Sequence, residues 1–269
     1  MRLPGALLWL WLCSTNSAAV PAQDQGLDER NYIAGQLWEQ GQAAMRQGKP
    51  DDAIRFYDQS LATDPRMVCN HLSLATAYLE KKNTSSACEH LGRYVEARPE
   101  QLVVRSRYAE LLVQVNKPSE ARAELERLVT DVQDHSNAAA QHLIRTHGRL
   151  MELAESEHDE YTAHLHRGIG LFLLARKRIA LGDPDGELPP EGLLCKAAAE
   201  LTRARHERPG EARPCWYLYE VWTELGQRLP AIPQLKDANA ASFSTYLTPA
   251  EQRGLHLAYQ RYLSETQHH

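Results

Sequence analysis

The sequence predicts an all-helical fold, a solenoid of repeated helix pairs that is closed by a C-terminal helix. Two observations lead to this prediction: the composition favours helix, and small and apolar residues recur with a period of 34 residues. The chain has only three Phe, and good helix formers such as Ala, Leu, Glu, Arg and Gln fill most of its length. A period of a few tens of residues is typical of solenoids, in which each unit buries its apolar face against its neighbours.

The composition also limits the class of protein and of partner. With 269 residues, 43% of them hydrophobic and 24% charged, the chain has the composition of a globular protein. Its net charge of -5 is spread along the chain without a basic stripe, so we expect no nucleic-acid partner. Beyond the N-terminus no apolar run approaches the ~20 residues that a bilayer requires, so we expect no transmembrane span in the mature chain.

The first 22 residues have the features of a secretory signal peptide. Arg2 supplies a positive charge, residues 6–12 form a short apolar core, and residues 17–19 are small and suited to cleavage. We therefore expect an exported protein, periplasmic or secreted. Two alternatives stay open: an uncleaved N-terminal membrane anchor, or a lipoprotein that carries its lipid on Cys13.

Each repeat has the pattern of two short helices with a small residue at each close contact. The alanines that open the second helix are Ala53, Ala87 and Ala121, spaced by 34 residues. Small residues also recur in the first helix, as Gly41, Ala75 and Ala109. They let the paired helices approach, while larger apolar side chains at helical spacing fill the gap. Pro65 and Pro99 end their units because proline cannot continue a helix, and Gly48 and Asn116 suit the turn between helices.

This pattern resembles that of the tetratricopeptide repeat family, which is W-x2-L-G-x2-Y, then A-x3-F, then P. In the first unit it is carried by Leu37, Gly41, Ala44, Ala53, Tyr57, Leu61 and Pro65. The resemblance covers residues 34–133 closely and 160–242 more loosely, where Ala197 and Ala231 are again 34 residues apart. It implies an all-α fold, a right-handed α-α superhelical solenoid of helix pairs.

We divide the chain into four segments on this basis. They are the signal peptide at 1–22, three repeats at 23–133, divergent helix pairs at 134–245 with a loop insertion at 182–190, and a C-terminal capping helix and tail at 246–269. The insertion is rich in Gly, Pro and Asp, as loops are. A helix at 137–155 has no clear partner in the repeat register, and 160–181 is the candidate for it.

The C-terminal helix begins at a capping box, in which Thr248 is the N-cap, Pro249 follows in the first turn and Glu251 completes the box. A solenoid needs such an end helix to shield its last apolar face from water. Leu255, on one side of this helix, is a candidate for that contact.

The chain has twelve histidines, and those in the divergent region suggest a metal site. They are His142, His147, His158, His164 and His166. Helical zinc sites use two ligands one turn apart on one face, and no pair among these has that spacing. We therefore expect solvated or hydrogen-bonded surface histidines, with no metal and no cofactor. Motifs of nucleophilic or phosphate chemistry are missing from the sequence, so we expect no catalytic residue and no enzyme. The alternative is an enzyme or metal-binding accessory domain with its site in residues 131–210.

The resemblance implies a binding groove along a concave face lined by the first helix of each unit. Carried over from the family, its main positions are Trp38, Gln42, Met45, Leu72, Thr76, Leu79, Ser106, Glu110, Trp216 and Glu220. The same helix faces also carry Cys69, Val103, Val113, Arg213 and Thr223.

These groove positions are apolar to mixed, and they lack the Lys and Asn with which related co-chaperones clamp a C-terminal carboxylate. They imply a scaffold that binds a partner protein or peptide, either a helix or a hydrophobic segment, with Trp38 and Trp216 as candidate hot spots. The alternative is that Trp38, Leu72 and Leu79 are partly buried packing residues.

Four cysteines lie outside the signal peptide: Cys69, Cys88, Cys195 and Cys215. An even number in an exported protein ordinarily suggests disulfides. However, Cys69 and Cys88 each begin one of two antiparallel helices, which separates them by roughly 15 Å at 1.5 Å of rise per residue. A disulfide needs Cα atoms within about 7 Å, and the same argument applies to Cys195 and Cys215. We therefore expect four free thiols, with a half-exposed Cys69 as the most reactive.

Overall fold

A computed structural model describes residues 29–131, 137–182 and 188–267, and over these residues the chain is built of α-helices joined by turns. In chain order the twelve helices described are α1 (Glu29–Arg46), α2 (Pro50–Thr63), α3 (Cys69–Glu80), α4 (Thr84–Ala97), α5 (Leu102–Gln114), α6 (Pro118–Asp131), α7 (Asn137–Ser156), α8 (Glu160–Leu181), α9 (Pro190–Glu207), α10 (Ala212–Glu224), α11 (Arg228–Ala241) and α12 (Pro249–Gln267). The predicted all-helical fold is confirmed. The predicted signal peptide lies outside the described residues, as does most of the predicted loop insertion.

The chain divides into two compact units, one that ends at Ala121 and one that begins at Arg122, within α6. In the first unit, α1 packs on α2 and α3 on α4, and each second helix also packs on the first helix of the next pair. In the second unit, each helix from α7 to α11 packs on the one that follows it. In the described part of the chain, no helix is both long enough and apolar enough to cross a membrane.

Five of the turns between helices have the same backbone form. Each contains one residue in the left-handed conformation, and these residues are Gly48, Lys82, Asn116, His158 and Gly226. The next amide along the chain donates to a carbonyl in the last turn of the preceding helix, as Asn83 N does to Tyr78 O at 2.9 Å. This is the Schellman arrangement, which satisfies carbonyls that a helix end leaves without partners. The turn predicted at Gly48 and Asn116 is therefore confirmed.

The small residues of the repeat lie where helices are closest. Ala53, Ala87 and Ala121 are each the fourth residue of a second helix, and none has exposed surface. In the first pair, a Cβ added to Gly41 would collide with the ring of Tyr57. The small residues that recur every 34 positions therefore lie at contacts in α1 to α6 where a side chain larger than a methyl group does not fit.

Helix α8 belongs to two helix pairs. As a second helix it follows the turn from α7 and carries buried Ala163 as its fourth residue, 34 residues before Ala197. As a first helix it brings Gly168 against Leu201 of α9, where a Cβ would lie 2.6 Å from Leu201 Cγ. Gly41 has the same relation to Tyr57 in the first pair. The expected partner of the helix at 137–155 is therefore the observed one, since α7 packs on α8.

The last helix starts as the sequence predicts. Thr248 N donates to Glu251 Oε2 at 2.8 Å, and Glu251 N donates to Thr248 Oγ1 at 3.2 Å, which is a complete capping box. Leu255 and Ala258 are buried in a cluster with Trp216 of α10. The helix thus covers apolar side chains at the C-terminal end of the second unit.

The four cysteines of the described residues are free thiols, as expected, and they differ in exposure. Cys195 is exposed, Cys69 is half-buried, and Cys88 and Cys215 are buried. Burial raises the pKa of the Cys69 thiol, which disfavours the nucleophilic thiolate. Cys195 on α9 is therefore more accessible than Cys69, and the expected reactivity of Cys69 stays a prediction.

Candidate binding face

The predicted groove positions of α1 and α3 are joined by hydrogen bonds to one serine. Trp38 Nε1 donates to Ser73 Oγ at 3.0 Å, and Gln42 Nε2 donates to the same oxygen at 3.3 Å. Trp38 is half-buried, whereas Gln42 and Ser73 are buried. The indole is therefore held in one orientation with part of its surface accessible. Sequence reasoning missed Ser73 because nothing local marks a residue whose partner lies 35 positions away.

The remaining groove positions of α1 and α3 differ in their burial. Leu72 is buried, while Met45, Thr76 and Leu79 are half-buried. Met45 and Trp38 both pack against the core that α1, α2 and α3 share. Leu72 is therefore a packing residue, as the alternative interpretation expects. The other three residues contribute to packing with only part of their surface.

Helix α5 carries the most exposed groove positions. Val103 is 56% exposed and Val113 is 45% exposed, and half-buried Ser106 and Glu110 lie between them at helical spacing. Arg107 Nη1 lies 2.7 Å from Glu110 Oε2, so an ion pair offsets the acidic charge on this face. The face is therefore a mostly neutral strip with exposed valine at both ends.

In the second unit, the predicted hot spot Trp216 is buried under α12. A Cβ on Gly254 of α12 would lie 2.9 Å from Trp216 Cζ2, so the glycine makes room for the indole. Contact between Trp216 and a partner stays a prediction, and it requires α12 to move. Glu220 is half-buried, and burial raises the pKa of its carboxyl group although Arg176 lowers it.

Arg213, another predicted groove position, forms an ion pair with the capping-box glutamate. Its Nε and Nη2 donate to Glu251 Oε1 at 3.1 and 2.9 Å, and Tyr217 OH donates to the same oxygen at 2.9 Å. The side chains of Arg213 and Glu251 are only 11% and 5% exposed. Burial acts to lower the pKa of Arg213, but the Glu251 carboxylate and its hydrogen bonds outweigh this effect, so the pKa is raised.

Two of the histidines form a buried pair between α7 and α8. His147 and His166 are 1% and 4% exposed, and their Nδ1 atoms lie 2.8 Å apart. One ring must donate and the other accept, so at least one imidazole is neutral at this contact. Burial lowers the pKa of His147 to about 3, and burial together with His147, Arg213 and Arg122 lowers that of His166. The expectation of surface histidines is therefore wrong for these two.

A second pair with the same spacing of 19 residues lies between α3 and α4. His71 Nδ1 and His90 Nδ1 are 3.1 Å apart, and the ring of Tyr78 stacks on His90. Burial is the main cause that lowers the pKa of His90 to about 4. Each histidine pair joins the first helix of a helix pair to the second. The spacing of residues along a single helix cannot reveal such a contact.

The other histidines of the divergent region have separate roles. His158 is in the left-handed turn before α8, His142 is half-buried in α7, and His164 Nδ1 lies 2.6 Å from Glu200 Oε2. Across residues 29–131, 137–182 and 188–267, no three His, Cys, Asp or Glu residues are arranged to hold a metal ion.

The His147–His166 pair is expected to make the protein less stable in acid. Because the pKa of His147 is about 3 in the folded chain and 6.5 in the unfolded chain, the unfolded state binds more protons between these values. The stability is thus complete above about pH 7 and falls as the pH drops from 6.5 towards 3, by up to about 1.4 kcal/mol per pH unit for each histidine.

Urea unfolding at pH 7.5, 6.5 and 5.5 measures this dependence. The double variant His147→Asn, His166→Asn should make it shallower, because an amide pair does not titrate, while the His71–His90 pair still contributes. The control His158→Asn, His206→Asn changes two exposed histidines and should keep the wild-type slope. An unchanged slope in the first variant would assign the acid sensitivity to other groups.

Comparison with known proteins supports the repeat assignment. A model of the tetratricopeptide repeat family matches residues 44–101, from the end of α1 to the turn before α5. No curated protein sequence matches the chain.

Several solved structures are similar to the chain. PilW, a widely conserved type IV pilus biogenesis factor, is 14% identical over 79% of this chain and 95% of its own, with a TM-score of 0.37. A tetratricopeptide repeat protein from Parabacteroides merdae is 15% identical over 83% of each chain, with a TM-score of 0.40. YrrB, a tetratricopeptide repeat protein with an unusual peptide-binding site, is 14% identical over 87% of this chain and 98% of its own, with a TM-score of 0.33. With scores this low, none of them supports an inference about ligands. The resemblance seen in the sequence is confirmed by the family match at residues 44–101, so this part of the chain consists of tetratricopeptide repeats.

Proposed function

We propose that the protein is an exported interaction scaffold that binds a partner protein or peptide along the first-helix face of its first unit. The observation that supports this most is the exposed strip on α5. Val103 and Val113 leave about half of their surface in water, whereas a helix on a protein surface ordinarily turns polar residues outward. An exposed apolar strip is a common mark of a protein contact.

The neighbouring face of α1 and α3 adds a rigid aromatic anchor. Trp38 is fixed by its bond to Ser73, so a partner that packs on its accessible part loses little further side-chain freedom. Tryptophan is also over-represented among the residues that dominate binding energy. Half-buried Met45 and Leu79 offer additional apolar surface on these two helices.

The chemistry of the strip indicates the kind of partner. The acidic charge of Glu110 is offset by Arg107, so the surface does not select a strongly charged ligand. Val103, Ser106, Glu110 and Val113 instead fit the apolar side of an amphipathic helix or a hydrophobic peptide segment.

A charge-insertion variant tests the binding face. Val103→Glu, Val113→Glu should weaken binding by at least about tenfold, because a partner would have to desolvate two carboxylates. The control Leu229→Glu, Phe243→Glu alters two exposed apolar residues of the second unit and should change binding by less than about twofold.

The partner is first identified by mass spectrometry of proteins that co-purify with the wild type from the native envelope or secreted fraction. Affinities are then measured with that purified partner by calorimetry, and circular dichroism checks that both variants stay folded. Equal affinities for the wild type and the Val103, Val113 variant would place the contact elsewhere.

Export is tested separately by sequencing the N-terminus of the protein from its native host. The signal-peptide proposal expects a first residue between Val20 and Gln23. A chain that begins at Met1 contradicts it, and one that begins at a lipid-modified Cys13 supports the lipoprotein alternative. Neither result affects the test of the binding face.

A further inference from the structure

The second unit contains a cavity of about 150 Å³ that the proposed function does not use. This is about ten times the roughly 15 Å³ that a single water molecule requires. Its least exposed lining comes from Arg213 of α10, whose side chain is 11% exposed, and from buried His166 of α8 and Thr248 at the start of α12. Leu150 and Val129 form an apolar wall.

Each of the three buried polar groups has hydrogen-bonding capacity left for the cavity. Arg213 uses Nε and Nη2 for Glu251, which leaves Nη1. Thr248 Oγ1 accepts from Glu251 N, which leaves its hydroxyl hydrogen to donate. His166 uses Nδ1 for His147, which leaves Nε2. None of these remaining groups donates to another residue among those that the structure describes, so they are available to a ligand.

The side chains at the buried end of the cavity favour a ligand that accepts hydrogen bonds. Two arginines lie near His166, and both are ion-paired: Arg213 with Glu251, and Arg122 with Glu126, Glu157 and Asp159. The Glu251 carboxylate is occupied by Arg213, Tyr217 and the Thr248 amide. The lining thus presents hydrogen-bond donors of Arg213 and Thr248 at its buried end, beside charges that are already paired.

The mouth of the cavity is more exposed and carries a hydrogen bond. Thr130 Oγ1 donates to Glu126 O, so Tyr246 OH donates to Thr130 Oγ1 across 3.0 Å. The Glu126 carboxylate at the mouth is paired with Arg122, with Nε and Oε1 3.4 Å apart. A bond between two exposed side chains opens at little cost, so it does not bar a small ligand.

We propose that this cavity binds a small oxyanion, a carboxylate or phosphate group, with Arg213 and Thr248 as its donors. Arginine and hydroxyl groups are the usual protein partners of such oxygens, and a charged acceptor makes the hydrogen bonds stronger. The group belongs either to a free small molecule or to the end of a polypeptide. The oxyanion group has the same size and the same acceptor oxygens whether it belongs to a small molecule or to a polypeptide end.

Ligand-dependent stability of the full chain tests the proposal. Sodium phosphate and succinate serve as free anions, and an acetylated tripeptide with a free carboxyl end is compared with its amide. At about 10 mM, a probe that binds should raise the melting temperature by about 2–4 °C over sodium chloride of equal ionic strength. A shift with the free anions identifies the small-molecule source, and a shift with the tripeptide acid alone identifies the polypeptide source.

A cavity-filling variant locates the effect. Val129→Trp places an indole in the cavity and should abolish the shift, while the control Leu229→Trp, at an exposed residue of the same unit, should retain it. Arg213 itself is left intact, because its loss would leave Glu251 buried without a partner. An equal shift in Val129→Trp, or no shift beyond that of chloride in the wild type, overturns the proposal.

Nuclear magnetic resonance of the histidine rings is a second readout that needs no variant of the cavity. Adding phosphate to the wild type should move the His166 signals, and the exposed His256 serves as an internal reference. Signals of His166 that stay fixed in the presence of every probe contradict the proposal even if Val129→Trp fails to fold.

Discussion

Replacing Ala87 with Arg is expected to unfold the α3–α4 pair and to lower the melting temperature of the first unit by more than about 10 °C. Ala87 has no exposed surface and is the fourth residue of α4, at the close contact of the repeat. Overpacking there costs about 1–3 kcal/mol, and burial of an unpaired charge adds several more. Together they approach the whole stability of an ordinary domain, about 5–15 kcal/mol.

Thermal and urea unfolding followed by circular dichroism measure this effect. The matched control is Ala62→Arg, the same substitution at an exposed alanine of α2 in the same unit. It should change the free energy of unfolding by no more than about 0.5 kcal/mol. Similar melting temperatures for the two variants would show that the helix register of the first unit is wrong.

The second large effect is expected from Glu251→Ala. This change leaves the Arg213 guanidinium buried without its carboxylate, which costs about 3–5 kcal/mol. It also removes half of the capping box of α12, worth about 1 kcal/mol. Because Glu251 serves both contacts, we expect α12 to detach before the rest of the second unit unfolds.

Urea unfolding and hydrogen exchange of α12 measure the loss. Glu265→Ala is the control, because Glu265 pairs with Arg228 where both side chains are exposed, and it should cost no more than about 0.5 kcal/mol. The double variant Glu251→Ala, Arg213→Met should recover part of the stability, since no buried charge is then left alone. A loss below about 1 kcal/mol for Glu251→Ala would mean that water reaches Arg213 and satisfies it.

The parts of the fold that could be predicted are those with a local signal in the sequence. The alanines at 53, 87 and 121, the turns at Gly48 and Asn116, and the capping box all depend on residues a few positions apart. Their physical causes are close helix approach, left-handed backbone and unsatisfied helix ends. Short-range causes of this kind leave the same pattern in each unit.

The parts that could not be predicted depend on contacts between helices. Arg213 and Glu251 are 38 positions apart, and His147 and His166 are 19 apart, so neither pair has a local pattern. From the local sequence, Arg213 is interpreted as a groove position, Glu251 as part of the capping box, and the two histidines as surface residues. The cavity needs five separate segments to form, and no window of sequence contains them. Among the groove positions, Trp216 is the clearest example, because its burial depends on where α12 docks.

The double membership of α8 changes how the later helices must be counted. Up to α7 the first helices of pairs are odd-numbered, but α8 and α10 act as first helices, so the parity of the array inverts at α8. If first and second helices were assigned by strict alternation from the N-terminus, α9, α10 and α11 would each receive the wrong role. Adding or deleting one whole helix pair on either side leaves this inversion in place, whereas removing α7 alone would restore simple alternation. In any engineered version of this chain, the first and second helices after α7 must therefore be counted from α8 and not from α1.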